Sequence, residues 1–245
     1  MTPHDLQLTI RFNSDKEAPK LPADDDDIAF LVQAYKDKRL AVNCLESIRK
    51  CYPVSRIILV LDGDEDPDWT AVASRFGAEK KHQERLYLLP RIGEMGKKSF
   101  EYWLEKPTPF LIKLDTDSIV RRRFRYLPDA EAFGSLACFP DGSFSHIVGG
   151  FTGFSRLAVE RMLAMRVFDD AGLCRDVPDW ISRCSASHWK EWCVKGGRGS
   201  YDCMISHVCV KHGVRIEVFD EVYSTWWPVP KSAREKYAVT HPHKT

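Results

Sequence analysis

Residues 28–62 read IAFLVQAYKDKRLAVNCLESIRKCYPVSRIILVLD, and this stretch decides the fold. Ile28 to Ala34 is an apolar run without polar alternation, the pattern of a strand buried on both faces. From Arg39 to Cys51 the apolar positions Leu40, Cys44, Leu45 and Ile48 fall at helical spacing, and Pro53 stops the helix. Arg56 to Leu61 is a second buried run that ends abruptly in Asp62-Gly63. Strand, helix and strand in so short a span predict a β-α-β unit, with a parallel strand pair and a right-handed crossover.

Outward from that unit the alternation continues. Trp69 to Phe76 reads as a helix closed by Gly77, Leu86 to Leu89 as a weak strand, and Lys98 to Leu104 as a helix broken before Pro107. Phe110 to Leu114 is a third strong strand, followed at once by Asp115. Leu136 to Phe139 reads as a strand and Ser155 to Met165 as a helix with Ser155 at its N-cap. Ser200 to His212 is a helix ended by Gly213, and Val214 to Phe219 alternates as a strand. The last segment, from Asp220, carries Pro228, Pro230 and Pro242 and is expected to be mostly irregular. The expected fold is α/β, a Rossmann-like, mostly parallel sheet flanked by helices. Residues 1–27, ending in four consecutive aspartates, form a solvated lead-in. Residues 28–245 form one domain, with 28–120 as a nucleotide-binding half and 121–245 as an acceptor-binding half.

The chain has 245 residues with Lys+Arg 36 against Asp+Glu 35, a formal net charge of +1. No global field therefore draws it to nucleic acid or anionic lipid. It opens without a secretory signal pattern, and no apolar run is long enough for a membrane span. The eight cysteines form no C-x-x-C pair and no zinc spacing. Free thiols in a cytoplasmic protein are the expected state.

In an open parallel sheet, ligands bind beyond the carboxyl ends of the strands. The strand ends here are Gln33-Ala34-Tyr35, Asp62-Gly63 and Asp115-Thr116-Asp117. The D-x-D pattern alone says little, because it also occurs within 24–27 and 62–68. At 115–117 a buried run delivers both carboxylates to the ligand edge, where two oxygens so spaced can hold Mg²⁺ or Mn²⁺ against a diphosphate. An acidic turn after a strand is the plainer reading. The acidic stretch 62–68 is no calcium loop, since Pro67 and Ala73 stand where such a loop needs Gly and Glu.

With these motifs in order, the chain resembles the GT-A glycosyltransferases, closest to the inverting, nucleotide-sugar-dependent family 2 group. The resemblance spans roughly residues 28–219. It implies donor-nucleotide contacts from Gln33, Ala34, Tyr35 and Asp62, and metal and diphosphate binding by Asp115 and Asp117. It also nominates Lys97, in Gly-Glu-Met-Gly-Lys-Lys, for the nucleotide. Gly149 and Gly150 stand where the family has its donor-sugar and acceptor loop, although a plain turn before a helix explains them nearly as well. Asp202 resembles the family's late acidic motif and is expected, in the first turn of a helix, to be an ionised general base. The usual Glu before it is Tyr201, and the Q-x-x-R-W motif of processive synthases is absent. His241, in His241-Pro242-His243, stands where several GT-A families place a third metal ligand.

Trp180, Trp189, Trp192, Trp226 and Trp227 are candidates for stacking on a sugar, or for core. Arg121 to Arg125 is read as a solvated basic face, with phosphate binding as its alternative. The expected activity is metal-dependent sugar transfer from a nucleoside-diphosphate sugar to a sugar, lipid or protein acceptor hydroxyl. A sugar-phosphate nucleotidyltransferase would need a glycine-rich loop after the first strand, and Gln-Ala-Tyr-Lys-Asp-Lys-Arg has none. An inactive nucleotide- or carbohydrate-binding module is the remaining alternative.

Overall fold

The structure, a computed structural model, describes residues 20–63, 66–87, 91–138, 144–169, 201–225 and 228–243. The proposed N-cap Ser200 and the five tryptophans weighed above lie outside the described residues. The elements, in chain order, begin with β1 (Lys20–Leu21), β2 (Ile28–Ala34), α1 (Lys38–Cys51), β3 (Arg56–Asp62), α2 (Asp68–Arg75) and β4 (Glu79–Gln83). They continue with α3 (Ile92–Leu104), β5 (Phe110–Asp115), β6 (Ile119–Val120), β7 (Leu127–Pro128), β8 (Ala132–Gly134), β9 (Leu136–Cys138), β10 (Phe144–Ile147) and β11 (Phe151–Ser155). Then come α4 (Arg156–Ala164), α5 (Tyr201–Lys211), β12 (Ile216–Val218), β13 (Val222–Ser224), α6 (Lys231–Lys236) and β14 (Val239–His241).

The central sheet has seven strands in the order β12-β8-β11-β5-β2-β3-β4. β2 pairs in parallel with both β3 and β5, and β4 runs parallel to β3. Only β11 opposes its neighbours. The chain builds outward from β2 to β4, then returns to lay β5 on the other side of β2. The carboxyl ends of β2 and β5 therefore flank the point where strand order reverses, the usual place for a ligand crevice.

α1 forms where its periodicity requires. Asp37 caps it by accepting from Leu40 N at 3.2 Å, its buried stripe is Ala41, Cys44, Leu45 and Ile48, and Tyr52 closes it on the Ile48 carbonyl. Ser155 caps α4 as expected, accepting from Ala158 N at 3.3 Å. The strands are apolar on both sides. One face of the sheet packs Phe30, Leu59 and Ile112 against Leu45 and Ile48 of α1. The other packs Leu31, Val60 and Leu111 against Phe100, Met162 and Met204 of α3, α4 and α5.

Three expectations change. Of the weak strand expected at 86–89, residues 86 and 87 belong to no strand and 88–89 lie outside the described residues; the edge strand is β4, whose charged sequence Glu-Lys-Lys-His-Gln suits a strand with one neighbour. Residues 20–27 of the expected solvated lead-in are docked: β1 pairs with β7, and the Asp25 carboxylate accepts from Val54 N, Ser55 N and Arg123. The C-terminal segment is ordered too, because β14 joins a three-stranded sheet between β13 and β6. Its register sets Thr240 opposite Ile119 and Val239 opposite Val120, directly after the Asp115–Asp117 turn. Among the described residues, no helix is long and apolar enough to cross a membrane.

Candidate metal centre and cleft

Side chains alternate along a strand, so residues two apart share a face. On the α3/α5 face of the sheet this rule carries Leu31 to Gln33, Val60 to Asp62, and Leu111 to Lys113 and Asp115. Each strand thus turns polar on that face at its carboxyl end. Register sets Gln33 directly opposite Asp115. The ends open into a cleft of about 420 Å³ lined by Gln33, Tyr35, Asp62, Lys113, Asp115 and Asp117, with Tyr201 and Asp202 from the start of α5.

Asp115, Asp117 and His241 bring three potential ligand atoms within 4.8 Å of one another, so the group could hold a metal ion. His241 Nε2 stands 3.1 Å from Asp117 Oδ1 and 4.0 Å from Asp115 Oδ2. The β14–β6 pairing places the imidazole there, reinforced by His243 N donating to the Asp117 carbonyl at 2.7 Å. The ring's tautomer follows from its other nitrogen. The Ser224 hydroxyl donates its one proton to the Gly149 carbonyl, so at 3.0 Å it can only accept from His241 Nδ1–H. In the neutral ring Nε2 then carries a lone pair facing two carboxylates. That arrangement is repulsive until a proton or a cation lies between them.

Gly149 and Gly150 make this packing possible. A Cβ on Gly149 would lie 2.2 Å from Asp202 Oδ2, and one on Gly150 would lie 2.1 Å from His241 Cγ. Gly150 also has φ +91, which L side chains rarely adopt. The room these glycines leave is filled by the protein's own carboxylate and imidazole. Backbone N–H groups of the same turn support the acids, Gly149 donating to Asp202 and Gly150 to Asp115.

Lys113 is buried and bonds Asp115 Oδ1, with its ammonium 4.7 Å from the Tyr201 ring centroid. Burial works against its charge, but the Asp115 and Asp202 carboxylates outweigh burial and hold its pKa above the usual value. Burial also opposes ionisation of Asp115, where Lys113 and His241 prevail and lower the pKa. At Asp202 burial wins: with Asp115 adding repulsion and Lys113 only partly offsetting it, the pKa is pushed up to about 6. The expected helix-end stabilisation of this carboxylate is therefore overridden by desolvation. The group remains mostly ionised at pH 7, with a pKa close to that of an effective base.

Asp62 lines the cleft with its carboxylate engaged by four donors. Gln83 Nε2 and Leu86 N donate to Oδ1 at 2.9 and 2.8 Å, while Arg85 Nη1 and Tyr87 N donate to Oδ2 at 2.7 and 3.1 Å. It therefore holds the 83–87 segment against the strand ends. Arg85 is carried with that segment and stacks its guanidinium 3.6 Å over the ring of Tyr35. Lys97 sits on α3, paired with Asp169 at 3.4 Å and not among the residues lining the cleft. The basic run after the metal group is spent on the fold: Arg122 and Arg125 grip the buried Glu221, Arg123 bonds Asp25, and Arg121 bonds Thr240.

Arg85, Lys113 and Ser224 belong to the site without having been singled out from sequence. Lys113 had a visible signal, a charge inside the apolar run Phe-Leu-Ile-Lys-Leu. Arg85 and Ser224 had none, since both arrive through contacts distant in sequence.

Fold and site together define an α/β protein with a mostly parallel central sheet and, at its switch point, an Asp-x-Asp group that with His241 could bind a metal ion. No family model matches the chain, and no curated protein is matched significantly by its sequence.

Proposed function

We propose that this chain is a metal-dependent glycosyltransferase of the GT-A type, transferring a sugar from a nucleoside-diphosphate sugar to an acceptor hydroxyl with inversion. The observation that carries the reading is the pairing of two unlike acidic sites across one cleft at the strand-order reversal. Asp115, Asp117 and His241 lie close enough together to hold a cation, and the desolvated Asp202 is a separate carboxylate suited to proton transfer. Two carboxylates and one imidazole fit Mn²⁺ and, with less affinity for the nitrogen, Mg²⁺. The fit rests on the His241 Nε2 lone pair directed at the carboxylates. Such a cation, when bound, offsets the charge that develops on a departing nucleoside diphosphate.

The chain's own residues do the rest. Lys113 holds Asp115 in place and keeps an ammonium beside it. The planar Tyr35–Arg85 stack offers a face for a nucleobase at the outer end of the cleft. Gln33 and Ala34 supply the neighbouring strand end. Asp202, held by Gly149 N–H, accepts the acceptor hydroxyl's proton as that oxygen attacks the anomeric carbon in line.

The test separates binding from chemistry. Thermal unfolding is followed with UDP, GDP, CDP or dTDP, each with and without Mn²⁺. One nucleotide at 100 times its dissociation constant should add about 2.7 kcal/mol of stability, and only with the metal. Asp202→Asn should keep that response while transfer of the matching sugar falls about 10²- to 10⁴-fold. Undiminished transfer by the variant would remove Asp202 from the mechanism. No response to any nucleotide would sink the reading as a whole.

A further inference from the structure

Lys113 is a charge set inside the apolar run of a central strand, and strand geometry says where it goes. Residues two apart share a face, so Lys113 and Asp115 are neighbours on one side of β5, about 7 Å apart along the backbone. The long lysine stem spans that step, and its ammonium bonds Asp115 Oδ1. The other oxygen of the same carboxylate, Oδ2, is the one that approaches His241, 4.0 Å from Nε2. Asp117 Oδ1 lies 3.1 Å from the same nitrogen. Asp115 is therefore divided: one oxygen serves an ammonium of the protein, and the other is offered to the candidate metal group.

That division is hard to undo. Lys113 is 4% exposed, and its ammonium lies 4.7 Å from the centroid of the Tyr201 ring, which anchors it behind the carboxylate. Asp202 attracts it as well, but among the described residues the ammonium bonds only Asp115. A buried ammonium that lost this partner would be strongly destabilising. A cation chelated by both oxygens of Asp115 would have to share Oδ1 with the ammonium, setting two positive charges on one atom. Asp115 is thereby held to one ligand oxygen. Ca²⁺ collects about six to eight oxygens and gains from carboxylates that chelate it. An ion such as Mn²⁺ needs fewer protein oxygens and accepts an imidazole nitrogen more readily.

We infer that Lys113 is a positioning residue that sets cation selectivity: by holding Asp115 Oδ1 it confines Asp115 to a single ligand oxygen, so that the Asp115–Asp117–His241 group takes Mn²⁺ in preference to Ca²⁺. The inference rests on the metal group of the proposed function and goes beyond it, giving a residue outside that group control over which ion enters. It does not depend on sugar transfer, so the absence of any nucleotide response would sink the glycosyltransferase reading and leave this assignment standing.

Electron paramagnetic resonance of free Mn²⁺, with Ca²⁺ as competitor, gives both affinities for the full chain. Ca²⁺ should bind the wild type at least about tenfold more weakly than Mn²⁺. Lys113→Met removes a positive charge, which tightens both ions, and frees Asp115 Oδ1, which favours Ca²⁺ more. The preference for Mn²⁺ should therefore shrink about tenfold. A role confined to folding or to net charge would move both affinities together. An unchanged ratio, or a wild type that binds the two ions equally, would overturn the assignment. If Lys113→Met does not fold, the uncharged pair Lys113→Met/Asp115→Asn takes its place, compared with Asp115→Asn alone. In the single variant the ammonium, which can only donate, claims the amide oxygen and leaves the amide nitrogen towards the cation. Adding Lys113→Met releases that oxygen, and Mn²⁺ should bind the pair about tenfold more tightly than the single variant. No recovery would overturn the assignment. A wild type that binds neither ion would instead overturn metal dependence in the parent reading, and this inference with it.

Discussion

Ser224 illustrates how a residue with no reactive chemistry can set the character of a candidate metal ligand. Its hydroxyl spends its proton on the Gly149 carbonyl and so obliges His241 to present Nδ1–H to it. Nε2 is left as the lone-pair nitrogen, aimed between Asp115 and Asp117. Without the hydroxyl the imidazole can rotate or change tautomer, although the β14–β6 pairing still delivers the residue. Ser224→Ala should therefore fold and bind Mn²⁺ about 10- to 100-fold more weakly, as loss of a partner behind a metal ligand commonly does. Electron paramagnetic resonance of free Mn²⁺ measures this directly, with Asp117→Asn as the variant expected to lose binding altogether. Unchanged Mn²⁺ affinity in Ser224→Ala would show that the ring is oriented by packing on Gly150 alone.

At the scale of elements, the decisive device is the return of β13 and β14 to the strand that follows the Asp-x-Asp turn. Glu221 fastens it. Fully buried just before β13, this carboxylate accepts from both Nη atoms of Arg122 and from the backbone and guanidinium of Arg125. Glu221→Ala leaves the Arg125 backbone N–H unmet, while both guanidiniums can still reach water. The expected cost is about 1–2 kcal/mol in urea denaturation, with a parallel loss of Mn²⁺ affinity because His241 is held less firmly. Little of this element could be read in advance. Three prolines argued for irregular structure, and nothing local says that residues 239–241 pair with residues 119–120. His241 came from family resemblance and not from spacing. β4 escaped for a related reason: an edge strand needs no apolar alternation, and Glu-Lys-Lys-His-Gln has none. What was legible is what local physics controls. The runs ending in Gln33, Asp62 and Asp115 are apolar because neighbours cover both faces, and α1 keeps helical spacing because one side of it is core. Those strands placed Asp115 and Asp117 at the ligand edge before any contact was known. The same reading gave Asp62 to the ligand; it does line the cleft, and its carboxylate also accepts from Gln83, Arg85, Leu86 and Tyr87, residues whose approach no spacing reveals.

The whole molecule has a response to acid that follows from which groups it buries. His146 on β10 is 5% exposed, and burial depresses its pKa from 6.5 to about 4. A histidine that resists protonation only when folded binds fewer protons than the unfolded chain, so acid favours unfolding. Its contribution is complete above pH 6.5 and is lost as pH falls from there towards 4. His243, depressed to about 4 by burial and by Arg121 and Arg234, acts over the same window. The carboxylates follow at lower pH. At Asp25 and Glu221 burial pushes the pKa upward, but hydrogen bonds from Val54 N and Arg123 in one case, and from Arg122 and Arg125 in the other, prevail and lower it. Their stabilisation is present above the ordinary carboxylate range and disappears below it. Asp202, raised to about 6 by burial, works the other way: it takes up a proton more readily when folded and offsets part of the histidines' loss between about pH 6 and the ordinary carboxylate range. Stability should therefore still decline in two stages, the first beginning near neutrality. For a group as buried as His146 the first stage is worth on the order of 2–3 kcal/mol. Urea midpoints taken from pH 7.5 to pH 3 without added metal would trace both. His146→Gln should flatten part of the first decline, leaving the share due to His243, and should not alter the second. The same variant should show why the position matters: Ile147 N donates to the Ser206 hydroxyl, which in turn bonds the Asp202 carbonyl, so a charge forced onto residue 146 loosens β10 from the turn of α5 that carries Asp202. A His146→Gln curve parallel to wild type between pH 6.5 and 4 would mean that the buried imidazole is not what acid attacks first.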